Sequence, residues 1–441
     1  MAQIVDGTHR SVVVVGGGQA GLATSWHLSR QGVDHLVLEA DRVGSEWRER
    51  RWDSFCLVTP NWQCRMPGFP YAGPAPDGFM VRDEIVAYLE DYVRSYDVPL
   101  VQGVRATSLE AGPGRPGSQG FRIETPDPGF RIETSAGTLT ADQVVVATGP
   151  YQRPRIPRIA ERLPSSIHQL HSSQYKNPSR LPPGEVVVVG TGQSGCQIAE
   201  DLHLAGRTVH LATGSAPRVA RFYRGLDVVA WLDRMGYYAK GIDEFDDVDS
   251  VRFRVNHYVT GRDGGRDIDL RKFALEGMRL YGRLVDIDGR LRFADDLRAN
   301  LDHADAVSEG IKDSIDAFIT AQGLEAPEEP RYQPVWQPDH APDSLDLQGI
   351  SAVVWSTGFR RDDFWIRVPV FDGRGYPTHR RGVSSVPGLY FVGLPWQHTW
   401  GSGRFGGVAD DAAYLTERIL AHRMQYGLRW IAGAPPQRTV A

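Results

Sequence analysis

Two glycine-rich turns of one design stand about 170 residues apart, each directly after four consecutive valines. The first reads Val12 to Val15, then Gly16-x-Gly18-x-x-Gly21. The second reads Val186 to Val189, then Gly190-x-Gly192-x-x-Gly195. Four valines suit a buried parallel strand, and glycine lets the backbone bend tightly and approach a pyrophosphate with no Cβ in the way. The helix that follows points its free N–H groups and the positive end of its dipole at that anion. The pattern predicts two dinucleotide cradles. Gly16, Gly18, Gln19, Ala20 and Gly21 form the first, and Gly190, Gly192 and Gly195 the second.

A lone glycine turn is weak evidence, because glycines also end strands for structural reasons. The next strand supplies the test. Eighteen residues beyond Gly21 stands Glu39, closing the apolar run His35-Leu36-Val37-Leu38, where a carboxylate can accept both hydroxyls of an adenosine ribose. The same count from Gly195 reaches Thr213, after Thr208-Val209-His210-Leu211, and no acid stands there. Ser215, Arg218 and Arg221 follow instead, and hydroxyls with guanidinium groups suit a ribose 2′-phosphate. The first cradle is therefore read as an FAD site and the second as an NADPH site. The alternative for the arginines is that they solvate a loop.

The elements that must hold these turns need more than one core. At 441 residues the chain exceeds the roughly 250 to 300 residues at which single cores stop growing. A composition of 41% apolar and 23% charged residues is ordinary for a soluble protein. Net charge −5 and a pI near 6.2 offer no basic footprint for nucleic acid or an anionic membrane. No run approaches the roughly 20 apolar residues of a membrane span, and Met1 to Gly7 lacks the pattern of a signal peptide. Cys56, Cys64 and Cys196 match neither a disulfide framework nor a metal site. A cytoplasmic protein without metal is expected.

Along the chain, the first βαβ unit is followed by residues 43–80, rich in Trp, Pro and Gly, which read as a packed loop beside a ligand. Ile85, Val86, Leu89 and Val93 predict a helix over residues 82–96. Residues 120–125 and 129–134 repeat Gly-Phe-Arg-Ile-Glu-Thr and predict a β-hairpin. Gln143 to Ala147 is a strand ending in Ala147-Thr148-Gly149, with Pro154 and Pro157 marking the exit from a first domain. Ala352-Val353-Val354 leads to an echo, Thr357-Gly358-Phe359, and residues 406–419 predict a last helix. The expected fold is α/β, with two Rossmann-like dinucleotide-binding domains, the second inserted into the first. Residues 1–160 and 346–441 make the FAD domain. Residues 161–345 make the NADPH domain, with a helical insert at about 225–340.

Paired glycine turns with an acid after only the first, the Thr148-Gly149-x-x-x-x-Pro154-x-x-Pro157 exit, and Thr357-Gly358-Phe359 resemble the class B flavin-containing monooxygenases. The resemblance covers most of the chain apart from the insert. Through Trp52-Asp53-Ser54-Phe55 and Thr59-Pro60-Asn61-Trp62-Gln63 it is nearest to a bacterial subgroup. One motif departs. The family's Phe-x-Gly-x-x-x-His-x-x-x-aromatic is here Ser165-x-Ile167-x-x-x-His171-x-x-x-Tyr175, keeping the histidine and an aromatic whose type leans toward heteroatom oxygenation. The resemblance implies that NADPH reduces FAD, that O2 then gives a flavin C4a-hydroperoxide, and that a soft nitrogen or sulfur in a small-molecule substrate is oxygenated. It implies Asn61 as the active-site amide; residue type alone reads Asn61 equally as a turn asparagine after Pro60. It places Trp47 along FAD, Thr148, Gly149, Thr357 and Gly358 among the cofactor-binding residues, and Ser194, Gly195, Cys196 and Gln197 along NADPH, and it suggests a homodimer.

Three rival readings stay open. A disulfide reductase uses the same plan but needs two redox cysteines a few residues apart. An oxidase would release peroxide, and a nucleotide-binding regulator would not turn over. Pocket walls are expected from residues 43–80, the insert and residues 396–405.

Overall fold

Each valine run becomes the middle of a parallel sheet, as four β-branched residues buried on both faces should. Residues 6–112 and 129–425 are described in a computed structural model. The chain begins with strand β1 (Thr8–Val15), helix α1 (Gln19–Arg30) and strand β2 (His35–Glu39). Helix α2 (Arg82–Ser95), strand β3 (Leu100–Gln102) and strand β4 (Gly137–Val146) follow. The second unit comprises β5 (His168–His171), β6 (Glu185–Val189), α3 (Gln193–Leu204), β7 (Val209–Ala212), β8 (Arg279–Tyr281), α4 (Leu297–Gln322) and β9 (Ile350–Trp355). Strand β10 (Leu389–Phe391) and helix α5 (Val408–Gln425) return to the first.

The parallel core of the nine-stranded first sheet runs β10-β4-β1-β2-β3, with Val12 to Val15 opposite His35 to Leu38 on one side and Gln143 to Val146 on the other. The second runs β5-β9-β6-β7-β8, also parallel, with Val186 to Val189 between Val209 to Ala212 and Ala352 to Trp355. Val12, Val13, Val14, Val186, Val187 and Val188 are fully buried, and burial of each such side chain contributes about 1.5 to 3 kcal/mol. Helices α1 and α5 pack together on one face of the first sheet, sealing a core of Leu22, Leu28, Leu415 and Ile419.

Three expectations need correction. The strand at 350–355 belongs to the second sheet, so the chain returns to the first domain after Trp355 and not at 346. An apolar strand carries no mark of which sheet it will join. The insert is not wholly helical, because β8 is the outer strand of the second sheet and Leu284–Ile287 pairs with Arg290–Phe293 as a hairpin. The second copy of the six-residue repeat, Phe130–Thr134, pairs with Ala106–Ala111 and with β4; residues 120–125 lie outside the described residues. Where the chain leaves and re-enters the first domain, Arg153–Pro154 and Phe359–Arg360 lie side by side, antiparallel.

Candidate functional site: two dinucleotide cradles

The two turns use their glycines in the same way. Gly16 has φ +114° and Gly190 φ +103°, a region side chains avoid. A Cβ on Gly21 would stand 1.8 Å from the carbonyl oxygen of Gly16, and one on Gly195 would stand 1.9 Å from that of Gly190. Only glycine lets each helix start that close beneath its own turn. The middle glycines behave differently: a Cβ on Gly18 would meet no protein atom within 4 Å, and one on Gly192 only Val255 Cγ1 at 4.0 Å. Those backbones can be approached from outside. Helices α1 and α3 also begin without a side-chain cap and without an acidic residue in the first turn. Their leading N–H groups are free to meet an anion, so both cradles fit a pyrophosphate.

At the first cradle, Glu39 Oε2 accepts from Gly17 N at 2.7 Å and Oε1 accepts from Asp41 N at 2.9 Å. The carboxylate is thereby fixed at the end of β2, beside an open cleft of about 630 Å³ lined by Asp41, Arg42, Glu46 and Arg50 among others. Gln19 Nε2 donates to Gly403 O at 3.3 Å, tying the cradle to the approach to α5, and Ala20 is buried beneath it. Thr148 Oγ1 and Gly149 O both accept from Gln152 Nε2, at 3.0 and 2.8 Å, in the exit turn. Trp47 stacks on Phe405 with ring centroids 6.0 Å apart.

At the second cradle the side chains correct part of the expected set. Arg218 is 3% exposed, donates through Nε to Asp305 at 2.6 Å and lies 4.1 Å over the Tyr332 ring. Arg221 is 1% exposed and bonds Asp227 at 2.5 Å and Val58 O at 2.7 Å. Neither guanidinium is presented to a ribose 2′-phosphate; nearby carboxylates have turned both inward. Thr213 is buried as well, its hydroxyl donating to Tyr281 O at 2.8 Å, whereas Ser215 is exposed. Cys196 Sγ donates to Thr191 O and Gln197 Nε2 to Val259 O, and the main-chain N–H of Cys196 is taken by Gly192 O at 3.1 Å, so the free main-chain N–H groups at this helix start are those of Gln193, Ser194 and Gly195. Thr357 Oγ1 donates to Arg155 O, and Gly358 O accepts from His171 Nε2 at 2.9 Å.

Asn61 has both ends of its side-chain amide engaged. It is 3% exposed, Nδ2 donates to Ala75 O at 2.9 Å and Oδ1 accepts from Met80 N at 2.7 Å. Both ends of the amide clasp the 61–80 loop. The turn reading explains these contacts better than a free catalytic donor does.

Sequence reasoning missed what joins the domains. Asp201 accepts from Ser54 Oγ at 2.6 Å, Tyr175 Oη at 2.7 Å and Arg262 at 2.8 Å, uniting the 43–80 loop, the linker, α3 and the insert. Arg404 was missed too. It stands between Gly403 and the start of α5, with its Cζ 3.8 Å from the Trp400 ring centroid. The only hint in the sequence is an arginine among glycines with no acid beside it.

Residues 13–233 match the family described as pyridine nucleotide-disulphide oxidoreductase, half of the chain. The chain belongs to that family. An uncharacterized CzcO-like oxidoreductase of Geobacillus kaustophilus is 32% identical over 425 residues, covering 96% of this chain and 100% of the relative. The uncharacterized oxidoreductase CzcO of Bacillus subtilis is 29% identical, covering 92% and 98%. A flavin-containing monooxygenase from Stenotrophomonas maltophilia aligns with TM-score 0.63 at 19% identity, covering 94% of this chain and 99% of that one. The fold is thus the two-dinucleotide-domain fold of the flavin monooxygenases. Among the described residues, no cluster of His, Cys, Asp or Glu could hold a metal, and no helix is long and apolar enough to cross a membrane.

Proposed function

We propose that this oxidoreductase is a flavin-dependent monooxygenase. FAD lies on the first cradle, NADPH on the second, and a soft nitrogen or sulfur of a small molecule is oxygenated by way of a flavin C4a-hydroperoxide. The observation that carries the reading is the pair of like cradles linked by short contacts, with Arg404, the residue after Gly403, bonded to Asn256, the residue after Val255. Gly403 is tied to Gln19 at the first turn, and Val255 borders Gly192 at the second. Bound flavin would supply the oxygen-activating chemistry. The chain's own part is to bind, orient and keep water out.

Glu39 is placed to accept the ribose hydroxyls of the resident dinucleotide. The second cradle has no acid in that place, and exposed Ser215 stands at the end of its second strand, which supports a phosphorylated ribose. Tyr237 packs on Trp396 and Tyr238 on Trp400, apolar surface that would help to exclude water. The disulfide reductase reading is disfavoured by the thiols themselves. Cys56, Cys64 and Cys196 are all buried and free, and burial pushes the first two up to about 11 and about 12, away from the thiolate that exchange requires.

The test is NADPH oxidation by the yellow holoenzyme with and without oxygen, over a panel of amines and sulfides, with peroxide measured alongside. Oxygen-dependent consumption coupled to product is expected. Consumption that ends entirely in peroxide would identify an oxidase, and no consumption a binding protein.

A further inference from the structure

Arg404 has neutral surroundings: its Cζ lies 3.8 Å from the Trp400 ring centroid, and its hydrogen-bond partners carry no charge. Protein encloses it, yet it keeps accessible surface, and burial lowers its pKa from the ordinary arginine value. Its guanidinium donates to Trp400 O and, at 2.9 Å, to Asn256 Oδ1, and the groups that act on it through space are the phenols of Tyr151, Tyr237 and Tyr238. No ion pair joins it to a carboxylate among the described residues. This contrasts with Arg218, Arg221 and Arg271, which are buried against aspartates. Arginine stays protonated in proteins, and a desolvated cation is stabilised by an opposite charge. Five N–H donors with two neutral partners leave a planar fork suited to a carboxylate.

The two dinucleotides do not need this group for their phosphates, since each already has a glycine turn and an uncapped helix start. Beside the guanidinium stands aromatic surface. Trp400 faces Tyr238 at 4.6 Å between ring centroids, and Phe245 packs on Trp396 at 5.4 Å. Resting on the monooxygenase reading above, we infer that the substrate is an organic acid with an apolar or aromatic body, its carboxylate held by Arg404 and its body by the Trp400 and Tyr238 rings. The charged end orients the molecule in the site.

Equilibrium dialysis of the oxidised holoenzyme with 3-phenylpropanoate and with its uncharged amide tests this without turnover. The wild type should hold the acid at least tenfold more tightly than the amide. Arg404→Gln should remove that preference while retaining flavin and the wild-type melting temperature, and Arg404→Lys should restore part of it. Equal binding of acid and amide by the wild type, or binding of neither, overturns the inference. So does an Arg404→Gln variant in which NADPH affinity falls while the acid still binds, because the guanidinium would then serve the dinucleotide. A preference for the acid in an enzyme that never consumes oxygen would leave the anion site standing and sink the monooxygenase reading alone.

Discussion

Glu39 accepts a hydrogen bond from the main-chain N–H of Gly17 at 2.7 Å, so the carboxylate that should take the ribose is fixed by the same turn that should take the pyrophosphate. Dinucleotide recognition at the first cradle is therefore one rigid unit, and its parts cannot be exchanged singly without loss.

Glu39→Ala should weaken FAD binding by about 10- to 100-fold, from the about 1.5 to 3 kcal/mol of hydrogen bonds to a charged group. Flavin content after dialysis against rising salt measures it. Full retention of the yellow colour would show that the carboxylate has no part in holding the cofactor.

The twin glycines separate the two sites. In each turn an added Cβ would lie within 2 Å of a main-chain oxygen, a clash that belongs among the exceptional substitutions of more than about 4 kcal/mol. Gly195→Ala should purify with flavin but fail to bind NADPH, whereas Gly21→Ala should lose flavin. Titration of NADPH against each variant, with visible spectra for flavin, decides it. A Gly195→Ala protein that bound NADPH normally would contradict the second cradle.

Asn61→Ala removes both clasps on the 61–80 loop and should lower stability by about 1 to 3 kcal/mol, seen as a lower melting temperature. If the loop screens the site, peroxide release per NADPH should rise with the loss of order. A rise in peroxide with an unchanged melting temperature would instead restore the amide as a direct participant.

His35 sets an acid limit. Its Nδ1–H donates to Val33 O and its Nε2 accepts from Ser25 Oγ, both at 2.8 Å, so the buried ring is held neutral, and burial lowers its pKa from 6.5 to about 4. The unfolded chain takes up the proton first. This contribution is complete above about pH 6.5, is lost as pH falls toward 4 and amounts to roughly 3 kcal/mol across that window. Urea unfolding at stepped pH should show the decline, with a shallower slope in His35→Gln. An identical slope in both proteins would remove His35 as its source.

Much of the fold was legible because it is encoded locally. The valine runs, the glycine spacings and Glu39 are short-range patterns whose geometry follows from sterics, and both strand–turn–helix units formed over the expected residues. The helices over 82–95 and 408–425 began within two residues of the expected positions, because an apolar stripe at helical spacing has a single structural meaning. The strand at 350–355 was recognised as a strand but assigned to the wrong sheet, since Val353 and Val354 would be equally buried in either.

The sequence by itself determined that two glycine turns between strand and helix exist and that only the first is followed by an acid, because strand, turn and helix are set by residues close along the chain. Tertiary structure decided which charges remain available. Asp305 and Asp227 claim Arg218 and Arg221, whereas no carboxylate reaches Arg404 among the described residues. Guanidinium groups pair with whatever acid the fold brings within a few ångströms, and that proximity arises between residues as far apart as 218 and 305, beyond the reach of any local pattern.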